Sequence, residues 1–473
     1  MSRPPLKVAV VGHTNTGKTS LMRTLMRDVE FGEVSDRPAV TREVEAAVLR
    51  AEGEVAIDLF DTPGLEDSIG LLEHLESLRG DRRLDGIDVV RRFLEGAEAG
   101  RRFTQEAKVL GQVLDSDVAL YVIDVRDRVL GKHRDELEIL AMCARPVVPV
   151  LNFTAAEDAR TNLWREHLSR VNMHAVAEFD TVVFEVRHER RLFEKMRTLL
   201  DAHGPLLDAL IDDRARQRKA LVRSSAALLA DLLIDAAAFT LRVPADDKAQ
   251  AEEAIEELKH ELRRREQRCV EQLLALHRFR PGDVEEDGLP IDGGAWGLDL
   301  FSGEALKQFG VRAGGAAAAG AMVGLTLDVM LAGLSLGTGT AAGAAIGGLL
   351  GAGRTHGRRL LDRLRGLTEL RCDDATLRLL AARQLALIGA LLHRGHASVQ
   401  AVRVGDRGGR RPIFAGRLPQ ALGRARANPH WSPLTGPDAP PRPADPARQE
   451  AAAQLARVLE AALLDEPAEE GHI

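Results

Sequence analysis

The residues best placed to do chemistry are Gly12-His13-Thr14-Asn15-Thr16-Gly17-Lys18-Thr19-Ser20. Two glycines, a lysine and a hydroxyl residue follow the spacing G-x-x-x-x-G-K-[ST]. A loop of this kind turns backbone N–H groups toward a phosphate, and the helix after it adds the positive end of its dipole. Lys18 offers a cation to the β- and γ-phosphates, and the Thr19 hydroxyl is a ligand for Mg²⁺. Gly12, Asn15, Thr16, Gly17, Lys18, Thr19 and Ser20 are therefore the expected contacts of a nucleoside triphosphate. A chance glycine turn is the bland alternative. It accounts poorly for the apolar strand signal Val8-Ala9-Val10-Val11 before the loop and the helical run Leu21–Met26 after it.

A second element is Asp61-Thr62-Pro63-Gly64, directly after the apolar run Ile57–Phe60. A carboxylate at a strand end holds Mg²⁺ through water. A glycine there lets a backbone N–H approach the γ-phosphate. Between the two elements lies Pro38-Ala39-Val40-Thr41, where a switch segment is expected. The Thr41 hydroxyl is the expected third Mg²⁺ group, recruited only when a γ-phosphate is present. The metal set is thus Thr19, Thr41 and Asp61, and the catalytic set Asn15, Lys18 and Thr41.

These groups need a scaffold that brings strand ends together. Strand signals recur at Lys7–Val11, Val44–Ala51, Val55–Asp61, Val118–Asp124, Val147–Asn152 and Thr181–Val186, with helical stretches between most of them. Alternation of this kind predicts an α/β doubly wound sheet over residues 1–205, with ligands at the carboxyl ends of its strands. The second and third strands are close enough to form a hairpin. The segment Leu71–Arg102 carries leucines at helical spacing and hangs from the second switch, either as a lever reporting nucleotide state or as a passive insertion.

Gly12–Ser20, Thr41, Asp61–Gly64 and the strand Tyr121-Val122-Ile123-Asp124 together resemble the motifs of bacterial Era/TrmE-like P-loop GTPases. The likeness runs over roughly residues 5–190. The whole layout resembles a bacterial family of such GTPases fused to a C-terminal helical domain of unknown function. The resemblance implies GTP and GDP as ligands, Mg²⁺ as cofactor and slow hydrolysis. Relatives read guanine with N-K-x-D, whereas this chain has Asn152-Phe153-Thr154-Ala155. Asn152 is kept and is expected to tie the base loop to the phosphate loop. Phe153 offers a ring in place of the lysine stem, and Glu157 or Asp158 is the nearest substitute for the missing aspartate. Leu65 stands where many switch GTPases carry the glutamine that orients water. Asn15 falls where some relatives recruit K⁺, which makes K⁺ a second candidate ion. Its alternative role is to stabilise the loop turn.

Beyond residue 205 the sequence turns helical. Residues 206–280 are expected as a helical, coiled-coil-like segment, with Ala220–Leu241 rich in alanine and leucine. Ile255, Leu258, Leu262, Cys269, Leu273 and Leu276 lie at three–four spacing. Residues 281–310 read as a linker, 311–404 as a glycine-zipper hairpin and helical domain, 405–446 as a loose Pro/Gly/Arg-rich loop, and 447–473 as a final helix with an acidic tail. Between Arg312 and Arg354 stands one acid, Asp328, and no Lys or Arg. Gly339, Gly343, Gly347 and Gly351 are spaced by four. Such glycines allow close helix–helix approach, either in a bilayer or in a soluble hairpin. Basic residues flank both ends, as expected of a hairpin entered from the cytoplasm.

Composition narrows the class. The net charge of −7 argues against bulk attraction to nucleic acid, and no nucleic-acid module is evident. Cys143, Cys269 and Cys372 are scattered and odd in number, which favours a reducing compartment. No signal peptide fits Met1 to Lys7, so a cytoplasmic location is expected, at the inner face of the membrane if 311–354 contacts lipid. A nucleotide-dependent dimer is a further candidate partnership. Two functions stand side by side: a hydrolysing GTP switch coupled to a helical domain, and a nucleotide-binding scaffold without productive turnover.

Overall fold

The computed structural model describes residues 4–27, 45–79, 84–183, 186–244, 247–279, 291–292, 295–309, 311, 325–327, 367–393, 414, 416–434 and 445–464. The chain divides into two units: residues 1–219 with 392–400, and residues 220–391 with 401–473. Thr41 and the zipper glycines from Gly320 to Gly351 lie outside the described residues.

In the first unit the elements are β1 (Leu6–Val11), α1 (Lys18–Met26), β2 (Glu45–Ala51), β3 (Glu54–Asp61), α2 (Ser68–Arg79), α3 (Gly86–Leu94), α4 (Thr104–Asp115), β4 (Val118–Asp124), α5 (Gly131–Met142), β5 (Val147–Asn152), α6 (Thr161–Arg170), β6 (Ala177–Glu178) and α7 (Val186–Leu199). The sheet runs β2-β3-β1-β4-β5-β6. All its pairings are parallel except the β2–β3 hairpin. That hairpin closes through Glu52 and Gly53, both at positive φ (52° and 87°), the twist-matched form of a two-residue turn.

The sheet is covered on both faces, so its central strands read as continuous apolar runs. Leu6, Val8 and Val10 of β1 join one core with Val118, Leu120 and Val122 of β4. Ala9, Val11, Ala119, Tyr121 and Ile123 face the opposite core. Leu71, Leu75, Val89, Val90, Phe93 and Phe103 pack into that second core. The segment Leu71–Arg102 is therefore a covering layer of the sheet rather than a surface insertion.

The sixth strand departs from expectation. Among the described residues it runs over Ala177–Glu178, ahead of the expected span; Thr181 and Val182 bend and Val183 forms an isolated bridge. The Asp180 carboxylate accepts the N–H groups of Val182 (2.8 Å) and Val183 (3.0 Å). These two donors are thereby taken by a side chain, and Thr181 and Val182, β-branched residues that look like strand, bend instead.

In the second unit α8 (Gly204–Ala238) begins in the first unit and continues across the division. It is followed by β7 (Thr240–Pro244), α9 (Lys248–Leu276), β8 (Ile291–Asp292), β9 (Ala295–Trp296), α10 (Gly303–Gln308), β10 (Leu325–Leu327), β11 (Leu367–Cys372), α11 (Asp374–His393), α12 (Gln420–Ala427) and α13 (Pro446–Leu464). Asp247 caps α9 by accepting from Gln250 N at 3.0 Å. The unit is mostly helical, yet it holds a three-stranded sheet, β10-β11-β7, that helical periodicity did not predict. Leu370 pairs with Leu241 across it, and Leu370 and Val243 are buried.

Polar groups are also buried in this second unit. Arg383, fully buried, pairs with Glu266 at 3.2 Å and lies 4.9 Å from the Trp296 ring centroid. Among the described residues one helix, α11, is long and apolar enough to cross a membrane. Most of it is buried, as in the core helix of a folded unit.

Candidate functional site

The phosphate loop joins β1 to α1 at the carboxyl edge of the sheet. Two positions demand glycine. Gly12 has φ +147°, and a Cβ there would lie 2.5 Å from the Val122 carbonyl oxygen. Gly17 has φ +90°, and a Cβ would lie 2.3 Å from Asn152 Nδ2. Asn15 is exposed in the left-handed region (φ 64°), which Asn tolerates better than most residues. Thr16 is buried and donates from Oγ1 to the His13 carbonyl at 3.1 Å. Buried Ser20 accepts at its carbonyl from Thr24 Oγ1.

Lys18 is folded into the loop. Its Nζ donates to the carbonyls of His13 (2.8 Å) and Gly12 (3.3 Å). Burial lowers its pKa, opposed by the nearby carboxylates of Asp61, Glu136 and Glu66. An ammonium buried against carbonyl dipoles has much to gain from an anion.

Asp61 ends β3 and is fully buried. Its Oδ2 accepts from Thr19 Oγ1 at 2.5 Å, while Oδ1 is buried without a hydrogen-bond partner. Burial pushes this carboxyl up, against the Thr19 hydrogen bond and the charge of Lys18. A hydroxyl and an unsatisfied carboxylate oxygen on one side of the loop are hard oxygen donors that fit Mg²⁺. Gly64 lies on the loop, where a Cβ would meet Thr14 Oγ1 at 2.4 Å and Thr14 N at 2.8 Å. Lys18, Thr19, Asp61 and Gly64 therefore converge.

Residues 165–457 match the family model described as a domain of unknown function, DUF3482. This chain belongs to the DUF3482 family. Residues 7–153 match the model described as a 50S ribosome-binding GTPase. The N-terminal unit of this DUF3482 protein is a P-loop GTPase domain of the TrmE and Era type.

The tRNA modification GTPase MnmE of Bacteroides thetaiotaomicron is 23% identical over 205 residues, covering 43% of each chain. MnmE of Thermoanaerobacter sp. (strain X514) is 29% identical over 137 residues, covering 29% of this chain and 28% of that protein. The DUF3482 chain thus spans less than half the length of these relatives. A structure of Era with MgGDPNP and a 16S ribosomal RNA segment aligns at 17% identity and TM-score 0.29. It covers 38% of this chain and 52% of the other.

The base loop of the DUF3482 protein is built differently from N-K-x-D. Asn152, fully buried, donates from Nδ2 to the Thr16 carbonyl and accepts at Oδ1 from Phe153 N (2.9 Å) and Thr181 N (3.0 Å). Phe153 has φ 60°, an uncommon conformation for a bulky residue. Its ring carries the Arg126 guanidinium 4.0 Å from the centroid, and Arg126 is held by both oxygens of Asp124. A stacked guanidinium on the residue replacing the lysine is a feature the sequence did not announce.

Glu157 and Asp158 are exposed. The carboxylate that meets Ala155 is Asp180, whose Oδ2 accepts from Ala155 N at 2.9 Å. A cleft of about 290 Å³ opens beside Thr154, Ala155, Asp180 and His188. Asp180 lies 25 positions from Ala155, and no local pattern marks it. Leu65 is fully buried in the core beside Leu71 and Leu75, so its side chain is directed away from any water at the loop.

Proposed function

We propose that this protein is a Mg²⁺-dependent GTP switch that hydrolyses its nucleotide slowly. One observation carries the reading: the Asp61 carboxylate, buried at the end of β3, bonds Thr19 at 2.5 Å and keeps Oδ1 unpartnered beside buried Lys18. An unsatisfied carboxylate oxygen is costly unless a cation or its water completes it. Mg²⁺ bound with the nucleotide would supply charge neutralisation at the phosphates.

The chain's own residues do the rest. Lys18 exchanges the Gly12 and His13 carbonyls for phosphate oxygens. Gly64 offers its backbone N–H to the terminal phosphate. Asn152 holds the base loop on the phosphate loop. Leu65, buried in the core, leaves the attacking water without a side-chain amide to orient it, which supports slow turnover.

The test is GTP hydrolysis by purified protein with Lys18→Ala as control, run in K⁺ and in Na⁺. Turnover is expected in the wild type and absent in Lys18→Ala. Faster turnover in K⁺ would support a cation held by Asn15, and equal rates would remove it. A scaffold role would instead return intact triphosphate after hours of incubation.

Contact of 311–354 with the inner face of a membrane is also part of this proposal. It is supported by the lack of Lys and Arg between Arg312 and Arg354. Co-sedimentation with anionic vesicles, with and without a non-hydrolysable GTP analogue, tests it. Protein left in the supernatant in both states would exclude it.

A further inference from the structure

Next to the phosphate loop lies a polar cluster that phosphate chemistry does not use. It joins His13 of the loop to Tyr121 on β4 and to Lys132 and Glu136 on α5. Glu136 is fully buried. Its Oε2 accepts from Tyr121 Oη at 2.5 Å, and its Oε1 lies 3.1 Å from His13 Nδ1. On the other side of the ring, Lys132 Nζ stands 2.9 Å from His13 Nε2.

This arrangement selects one tautomer. An ammonium only donates, so Nε2 must accept and the ring proton sits on Nδ1. The Nδ1–H then faces two acceptors: Glu136 Oε1 and the Leu65 carbonyl, the latter at 2.8 Å. Leu65 N in turn donates to the Gly12 carbonyl at 3.3 Å. Both peptide groups of Leu65 are thus tied to phosphate-loop residues, one by backbone and one by the imidazole. Gly64, the residue just before these ties, lies against Thr14.

We propose that His13 is a positioning residue of the site. Its Nδ1–H pins the Leu65 carbonyl and so keeps the Gly64 backbone in register with the phosphate loop. Glu136 and Lys132 hold the ring in the tautomer that does this. The Leu65 side chain is buried in the core, so the two groups of Leu65 that face the phosphate loop are its N–H and carbonyl, and His13 holds the carbonyl. The proposal rests on the GTPase reading only for its consequence on rate.

The experiment uses the full chain with His13→Ala, His13→Asn and His13→Gln. Amide hydrogen exchange over residues 64–71 is measured in nucleotide-free and GDP-loaded protein, with single-turnover GTP hydrolysis and GDP affinity alongside. His13→Ala is expected to speed exchange there about tenfold. It should slow turnover by about tenfold while GDP affinity stays within about threefold. Asn places an amide N–H near the Nδ1 position and restores both readouts. Gln, which reaches toward the Nε2 position, does not.

Unchanged exchange in His13→Ala overturns the proposal, as does equal impairment in Ala and Asn. Raised exchange with an unchanged rate in an active wild type also overturns it. A wild type that never hydrolyses GTP overturns the GTPase reading alone, and the exchange series still decides the role of His13.

Discussion

Asn152 Nδ2 donates to the Thr16 carbonyl at 3.0 Å, joining residues 136 positions apart in the chain. The same side chain accepts from Phe153 N and Thr181 N. One buried amide therefore sets the distance between the phosphate loop, the base loop and the turn after β6. All three bonds are to protein backbone, so the amide has a structural role in a loop that lacks the lysine and aspartate of N-K-x-D.

Asn152→Ala is expected to lower stability by about 1–3 kcal/mol, because three backbone groups lose a buried partner. Urea unfolding measures this, and titration with a fluorescent GDP should show affinity weakened by about tenfold or more. Asn152→Asp should bind more weakly still, since it sets an acceptor against the Thr16 carbonyl. Wild-type stability and affinity in Asn152→Ala would mean that the amide bridge is dispensable.

Asp61→Asn retains the shape of the side chain and removes its charge. The Mg²⁺ concentration for half-maximal GTP turnover is expected to rise about 10–100-fold. Far-ultraviolet circular dichroism should stay unchanged. An unaltered Mg²⁺ requirement would rule out the metal role of Asp61.

Two glycines should respond in opposite directions. Gly64→Ala drives a methyl into the Thr14 backbone, with N at 2.8 Å and Cα at 3.0 Å, so the stretch Asp61–Leu65 must lift from the phosphate loop. GTP turnover should fall by about tenfold or more. Gly111 lies inside α4, and an alanine methyl there would meet nothing within 4 Å. Gly111→Ala should raise stability by about 0.5–1 kcal/mol through helix propensity, with turnover unchanged. Thermal unfolding and the hydrolysis assay read the pair.

His133 carries a pH prediction. It is buried, and its Nδ1 accepts from Leu130 N at 3.1 Å, closing the first turn of α5. Burial is the largest cause that pushes its pKa down from 6.5 to about 4; nearby Lys132 and His13 add to this, while Glu136 and Asp127 oppose it. The neutral ring is thus favoured in the folded state. Its contribution is fully present above pH 6.5 and declines as pH falls toward 4, because only the unfolded chain takes up the proton in that window. The melting temperature of the wild type should drop between about pH 7 and 4.5. His133→Asn, which can still accept from Leu130 N, should flatten part of that slope.

Much of the nucleotide site was legible in the sequence because its signals are local. The glycines, Lys18 and Thr19 lie within one loop, and Asp61 and Gly64 lie within four residues at the end of an apolar run. Strands β1, β4 and β5 were readable for the same reason: a strand buried on both faces leaves a nearly unbroken apolar stretch. Position 65 was legible too, as a leucine where an amide is usual.

Tertiary structure decided what depends on residues far apart. Asp180, which turns the chain after β6 and meets Ala155, and the cluster of His13, Glu136 and Tyr121 leave no periodic trace. The pairing of β7 with β11 joins residues 240–244 to 367–371. Both segments are too short to outweigh the helical patterns around them. Side-chain spacing records which face of one element is buried; it does not record which distant polar group will satisfy it. The sequence by itself determined that a phosphate loop is present and that a carboxylate ends the third strand, and only the folded chain decided that His13 ties this loop to Leu65.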